Sequence, residues 1–264
     1  MIKYKAVNYR GIAPWGACGL RIITRGNIGM IYKRVVLKIS GEALAGEKHT
    51  GYDFDFVASV VRAVKSCMAE GLQVGIVIGG GNFWRGVKDG AGFVERVSAD
   101  RMGMLATCMN CLAVADVFRQ NGVPASVQTS VDIQGVGERY DTLKSIRLME
   151  EGTVVLFAGG TGLPFVSTDT AVVLRALETH ADAILLAKNI DGVYSADPRK
   201  DPTAYRFDEI TYGEVLERRL QVMDSTATSM AMDNNIPSVV FALADPENIH
   251  RVLCGEKVGT FVRV

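Results

Sequence analysis

The strands of this chain show as short apolar runs that end abruptly in glycine or in a cation. Gln73-Val74-Gly75-Ile76-Val77-Ile78 stops at Gly79-Gly80-Gly81-Asn82-Phe83-Trp84-Arg85, and an unbroken apolar run of that length fits a strand covered on both faces. Residues 35–39 make a second run, with Lys38 where a buried strand would hold an apolar group. Between the two, Phe54, Val57, Val60, Val61, Val64 and Met68 recur at helical spacing over residues 53–70 and stop at Gly71, so the chain opens as β-α-β. Residues 98–121 predict a long helix with Ser98 as N-cap and Asn121-Gly122 as its stop. Strands are expected at 124–128 and 153–157 with a helix at 141–150 between them, then a helix at 170–178 and a strand at 183–187. The remainder alternates helices at 211–216, 225–235 and 246–253 with strands at 238–241 and 260–262.

Candidate chemistry gathers where these strands end. Glycines lack the Cβ that keeps backbone away from a ligand, so Gly79 to Gly81 with the planar fork of Arg85 fit an anion cradle; they also fit a tight turn with a surface arginine. Lys38, followed by Ser40 and Gly41, lies where open α/β sheets bind ligands, unless it snorkels from an edge strand. The loop Ala158-Gly159-Gly160-Thr161-Gly162-Leu163-Pro164-Phe165-Val166-Ser167-Thr168-Asp169 leads straight into a helix, which suits an anion or a base's carbonyls, with Thr168 or Asp169 as a plain N-cap the alternative. Lys188 leaves another strand, Asp191-Gly192 reads as a tight turn, and Asp197-Pro198 and Asp201-Pro202 break any helix. Asp100, in the first turn of the long helix, either answers the helix dipole or accepts from a ligand's sugar hydroxyls.

Composition narrows the setting. The 264 residues allow one large α/β domain or two lobes. Lys+Arg and Asp+Glu both number 29, so no net charge draws the chain to nucleic acid or an anionic membrane, and phosphate binding has to be local. No run reaches the ~18 apolar residues of a membrane span. Five cysteines without a spaced framework suit a reducing, cytoplasmic compartment. Cys108 and Cys111 form a CxxC inside an apolar helical segment and are expected to pack in a core. Residues 1–29 carry Lys3, Lys5, Arg10, Arg21 and Arg25 with no acid and no periodic pattern. They read as an N-terminal extension, either a targeting segment or a stretch upstream of a working start at Met30, with the domain itself at 30–264.

Gly41 and Gly46 have the glycine spacing of a P-loop, but Glu47 replaces its lysine, and no GxGxxG follows a strand. Lys38, Arg85 and Lys188 at strand exits, with Asp169 beside one of them, suit phosphoryl transfer between two phosphates, whose repulsion cations and backbone donors must offset. A phosphate acceptor with a second pKa near ~6 needs no general base. The three scattered histidines, His49, His180 and His250, fit that economy.

Five motifs, in order, resemble one family: Val36-Leu37-Lys38-Ile39-Ser40-Gly41-Glu42-Ala43-Leu44; Gly79-Gly80-Gly81-Asn82 with Arg85-Gly86; Asp100-Arg101-Met102-Gly103-Met104-Leu105-Ala106-Thr107; Thr161-Gly162 with Pro164-Phe165 and Thr168-Asp169; and Asp191-Gly192-Val193-Tyr194 with Ala196-Asp197-Pro198. Together they are similar to the bacterial uridylate kinases of the amino acid kinase superfamily. The resemblance implies a three-layer αβα sandwich with a mainly parallel central sheet, assembled as a homohexamer. It implies transfer of the ATP γ-phosphate, with Mg2+, to UMP in pyrimidine nucleotide synthesis, residues up to about 180 mainly holding UMP and the rest ATP. Carried over by position, Lys38, Arg85 and Asp169 are catalytic. Lys38, Ile39, Ser40, Gly41, Gly81, Arg85, Lys188, Asn189, Tyr194 and Asp197 face ATP. Gly80, Asp100, Thr161, Gly162, Leu163, Pro164, Phe165, Val166, Ser167 and Thr168 face UMP, and no residue is assigned to a metal. GTP as activator and UTP as inhibitor come with the resemblance, residues 46–51 being the place for GTP. Around residues 187–190 members of the family differ, leaving open which side chain meets adenine. The rivals are a kinase of the same superfamily acting on carbamate, acetylglutamate or aspartate, and a non-catalytic nucleotide-binding assembly.

Overall fold

A computed structural model describes residues 29–85 and 92–264. The extension before Gly29 and the glycine-containing stretch 86–91 lie outside the described residues. β1 (Arg34–Ile39) leads through α1 (Gly41–Ala45) and α2 (Phe54–Ala69) to β2 (Gln73–Ile78), its parallel neighbour. α3 (Arg96–Gln120), β3 (Ala125–Thr129), β4 (Glu138–Arg139), α4 (Thr142–Glu150) and β5 (Val154–Ala158) extend the sheet on that side. After α5 (Thr168–Glu178), β6 (Ala183–Lys188) returns to the other flank of β1. β7 (Glu209–Thr211), α6 (Tyr212–Glu217), α7 (Ser225–Asp233), β8 (Ser238–Ala242), α8 (Asn248–Leu253) and β9 (Thr260–Arg263) complete the chain. The sheet runs β4-β3-β5-β2-β1-β6-β8-β9-β7, parallel except where β8 meets β9.

Strand alternation divides the core between the two faces. Val35, Leu37 and Ile39 join Val61, Phe118 and Ile249 from α2, α3 and α8. Val36 joins Val172, Tyr212 and Ala231 from α5, α6 and α7 on the opposite face. Lys38 shares the Val36 face, and so projects toward the start of α5.

Several boundaries differ from the sequence reading. α3 begins at Arg96 with Glu95 at its N-cap, so Ser98 is inside the helix and Asp100 falls beyond the first turn, where the dipole argument fades. α5 is capped by Ser167, whose Oγ accepts from the N–H groups of Asp169 (3.0 Å) and Thr170 (3.3 Å); Thr168 and Asp169 are already helical. β4 and β7 are too short to leave a periodic trace, and Thr211, expected in a helix, ends β7 and caps α6 in a capping box with Glu214. α3 has the length and apolar content to cross a membrane, which the sequence reading did not expect of any run; half of its apolar window is buried, with Cys108, Cys111, Val114 and Phe118 in the core. Burial raises the pKa of both thiols.

Seven helices close with the same turn, a residue at positive φ just past the C-cap. The next N–H reaches back to the third carbonyl from the helix end, as from Leu72 to Cys67 and from Leu220 to Val215. Glycine holds the position at 71, 122, 152 and 255, and asparagine at 235. His180 and Arg219 are the exceptions.

Candidate active site

The strand order sets the C-terminal ends of β5, β2, β1 and β6 side by side. The chain leaves β1 for β2 on one flank and later brings β6, by way of β5 and α5, to the other, so the strand order reverses at β1 and a crevice opens at its end, the place where open parallel sheets hold ligands. The exits of β1 and β2 are pressed together: a Cβ on Gly41 would stand 2.3 Å from Gly79 O and 2.8 Å from Gly81 N, so no larger residue fits there. α3 closes on the triple glycine as tightly, since a Cβ on Gly80 would lie 2.9 Å from both Gly103 O and Ala106 Cβ.

Polar side chains buried along α3 fix these loops. Asn110 Nδ2 donates to Gly79 O (2.7 Å) and Asn82 Oδ1 (2.7 Å), and Asn82 Nδ2 donates to Asn110 Oδ1 (3.0 Å) and Gly51 O (2.9 Å). Thr107 Oγ1 accepts from Gly159 N at 2.9 Å. Beyond Gly159, Ser130 Oγ donates to Gly160 O (2.8 Å) and accepts from Arg175 Nη2 (2.7 Å). The buried Arg175 also pairs with Glu178 and lies 3.6 Å from the Tyr140 ring centre. Sequence reasoning missed Asn110 and Arg175, and quoted Thr107 in a motif without giving it a role; a polar residue inside an apolar stretch of helix is the trace they leave.

Two groups of clefts flank the end of β1. The first, about 150 Å³, is lined by Gly80, Trp84, Asp100, Gly103, Thr107, Gly160, Thr161, Val166 and Thr168, among others. Asp100 Oδ2 accepts from Phe165 N (2.7 Å) and Arg96 Nε (2.8 Å), and the Arg96 guanidinium sits 5.1 Å from the centre of the Phe165 ring. Asp100 thereby holds the loop over the cleft. Of the residues expected on this side, Gly80, Asp100, Thr161, Val166 and Thr168 line the cleft, whereas Gly162, Leu163, Pro164, Phe165 and Ser167 do not, and Leu163 and Phe165 are exposed.

On the other side, a cleft of about 810 Å³ is lined by Lys38, Ser40, Lys188, Asn189, Tyr194, Asp197, Arg199, Lys200, Arg218, Arg219 and Gln221. It adjoins one of about 600 Å³ that shares Lys188, Arg219, Leu220 and Gln221 and adds Asp169. Ile39 turns its side chain into the core. Gly41, Gly81 and Arg85 stay outside both linings, Arg85 Nη2 pairing with Glu42 Oε1 at 3.0 Å. Tyr194 donates to Asp191 (2.9 Å), and Arg199 bonds Asp197 and lowers its pKa.

Between the clefts stands Lys38, its Nζ 3.0 Å from Asp169 Oδ1. The angle does not make a hydrogen bond, so that buried oxygen has a positive charge beside it but no aligned donor. Lys188 donates to Val222 O. Burial lowers its pKa, Asp169 opposes that shift and Lys38 adds to it. Asp224, another residue the sequence did not single out, accepts from Ser167 Oγ and from Ala227 N (2.9 Å), tying the starts of α5 and α7 together. Adjacent residues at the head of α5 face different spaces: Thr168 lines the first cleft and Asp169 the second group. Among the described residues there is no group of three or more His, Cys, Asp or Glu that could hold a metal ion.

Residues 33–242 match the amino acid kinase family. Among solved structures, the chain is similar to a UMP kinase from Bacillus anthracis (37% identity, 88% of this chain and 96% of that one, TM-score 0.84). It is similar also to a UMP kinase from Ureaplasma parvum (33% identity, 88% and 99%, TM-score 0.83). A uridylate kinase from Archaeoglobus fulgidus is a more distant match (27% identity, 86% and 99%, TM-score 0.67). With that span and identity added to the order of the strand exits, the chain belongs to the amino acid kinase family.

Proposed function

We infer that this chain is a UMP kinase, passing the γ-phosphate of ATP to UMP and releasing UDP and ADP. The observation that carries the reading is the partition at the head of α5, which gives two nucleotides separate clefts with Lys38 and Asp169 where their phosphates would meet. UMP occupies the first cleft against Gly80, Asp100, Thr161 and Thr168, and ATP the second beside Lys188, Asn189, Tyr194 and Asp197. Lys38 neutralises charge as the phosphoryl group moves between them, Asp169 holds the Lys38 ammonium in line, and Arg85 would reach the phosphates from the β2 exit on leaving Glu42. The acceptor needs no base, being a phosphate already deprotonated at neutral pH. Mg2+ would come with ATP and spread the charge of its β- and γ-phosphates; the buried Asp169 Oδ1, lacking an aligned donor, is an oxygen it could use.

The same proposal treats 30–264 as one domain with UMP held mainly by residues before about 180, serving pyrimidine nucleotide synthesis. It assembles copies as a homohexamer, supported by the exposed stripe Met102, Leu105, Met109 and Leu112 along α3, whose spacing of three and four residues forms one apolar face. Regulation by GTP and UTP belongs with it, supported by residues 46–51: Thr50 Oγ1 donates to Asn82 O at 3.0 Å, which ties that loop to the β2 exit.

A coupled assay of ADP release tests the reading on the full chain and on the chain begun at Met30, with UMP, CMP, carbamate, acetylglutamate or aspartate as acceptor and with or without GTP. UMP-dependent release is expected; ATP turnover with one of the acids and none with UMP would overturn the assignment.

A further inference from the structure

Arg219 occupies a position that its own backbone disfavours. It follows the C-cap of α6 at φ 52, in the helix-closing turn that this chain otherwise gives to glycine or asparagine at five of seven sites. A side chain in the left-handed region crowds the neighbouring carbonyl, so an arginine there is less stable than glycine. Strain of this kind persists where something else requires the side chain.

That requirement is legible in the surroundings. Arg219 lines both the 810 Å³ and the 600 Å³ clefts, in company with Lys188. It is exposed, and its side chain has no hydrogen bond or ion pair among the described residues. Neighbouring Arg218 has both Glu214 and the Phe207 ring to hold it. An arginine fixed by its backbone at the junction of two cationic clefts, and held by no acid, suits an anionic ligand rather than the fold.

Resting on the reading of these clefts as the ATP side, we propose that Arg219 is a binding residue for the donor nucleotide, its guanidinium engaging the polyphosphate. The helix-closing turn then serves to aim this cation into the cleft.

The test uses the full chain and three variants, Arg219→Gly, Arg219→Asn and Arg219→Lys, with ATP and UMP as probes. Calorimetric ATP binding should weaken about tenfold in Arg219→Gly and Arg219→Asn, the loss expected for one charge-assisted contact. UMP affinity should be unchanged, and Arg219→Lys should recover part of the ATP loss. The salt dependence of ATP binding should flatten in the two uncharged variants, which a merely structural role would not produce. Arg219→Gly should unfold at the same temperature as the parent or higher, so weakened binding could not be blamed on misfolding. ATP affinity within twofold of the parent in both uncharged variants would overturn the proposal. Parent protein that binds ATP without phosphorylating UMP would sink the kinase reading alone, and parent protein that does not bind ATP would sink both.

Discussion

Lys38 owes its place to the two-residue period of a strand: one step earlier or later and its ammonium would enter the α2–α3 core. Because its charge matters most while negative charge shifts between nucleotides, Lys38→Ala should lower kcat by roughly a hundredfold or more while UMP affinity stays within threefold. Steady-state kinetics with UMP varied at saturating ATP measure this, and equal losses in both constants would contradict the assigned role. Lys188 makes a prediction about pH. Its folded-state pKa lies below that of an unfolded lysine, so the unfolded chain holds the proton more tightly and charged Lys188 costs folding free energy. From Lys188 alone, stability should therefore rise with pH from its depressed pKa up to the ordinary lysine value of about 10.4. Lys188→Met should raise the neutral-pH melting temperature, flatten that rise and weaken ATP binding; thermal unfolding across the pH range decides it.

The elements depend on contacts that bridge distant parts of the chain. Arg175→Met would leave Glu178 without its buried partner and release Ser130 from the arginine, costing about 3 kcal/mol. It should also raise KM for UMP more than for ATP, because the brace ends on Gly160 at the first cleft. Gly80→Ala drives a methyl against Gly103 O and Ala106 Cβ, an overpacking expected to cost roughly 1–3 kcal/mol and to weaken UMP binding; denaturant unfolding and KM measure the two effects. The central parallel strands were readable because runs such as Gln73 to Ile78 are apolar on both faces and end in glycine. So were Lys38 and Lys188, as charges within or at the end of such runs, and Asp169, as the acid where a glycine- and hydroxyl-rich loop enters a helix. Asn110, Arg175 and Asp224 were not, because each looks like an ordinary polar residue until folding brings it to Gly79, Ser130 or Ser167. Ser98 was misjudged as a cap because capping residue types also occur within helices. The strand Glu209–Thr211 escaped because three residues carry no period.

Across the whole molecule, the apolar stripe of α3 lies on the outer side of a helix whose inner side packs on the sheet. If the proposed homohexamer forms through this face, Leu105→Glu with Met109→Glu should give a smaller species than the parent in light scattering while leaving the subunit folded, both side chains being about half exposed; a parent that is monomeric, or a variant of unchanged mass, would rule the face out as that interface. The central position of β1 reaches further, into how the polypeptide is made. Arg34–Ile39 meets β2 within one short excursion, but its other flank waits for Ala183–Lys188. At about 5–20 residues per second on the ribosome, that is a delay on the order of ten seconds. For that interval the nascent chain carries an unpaired edge along its central strand, whose Val35, Val36, Leu37 and Ile39 are buried in the finished sheet, the kind of edge that invites pairing with other chains. Biogenesis of this enzyme should consequently be most vulnerable to aggregation before β6 emerges, and a chain interrupted after Glu178 should be insoluble even though every residue lining its first cleft has been synthesised.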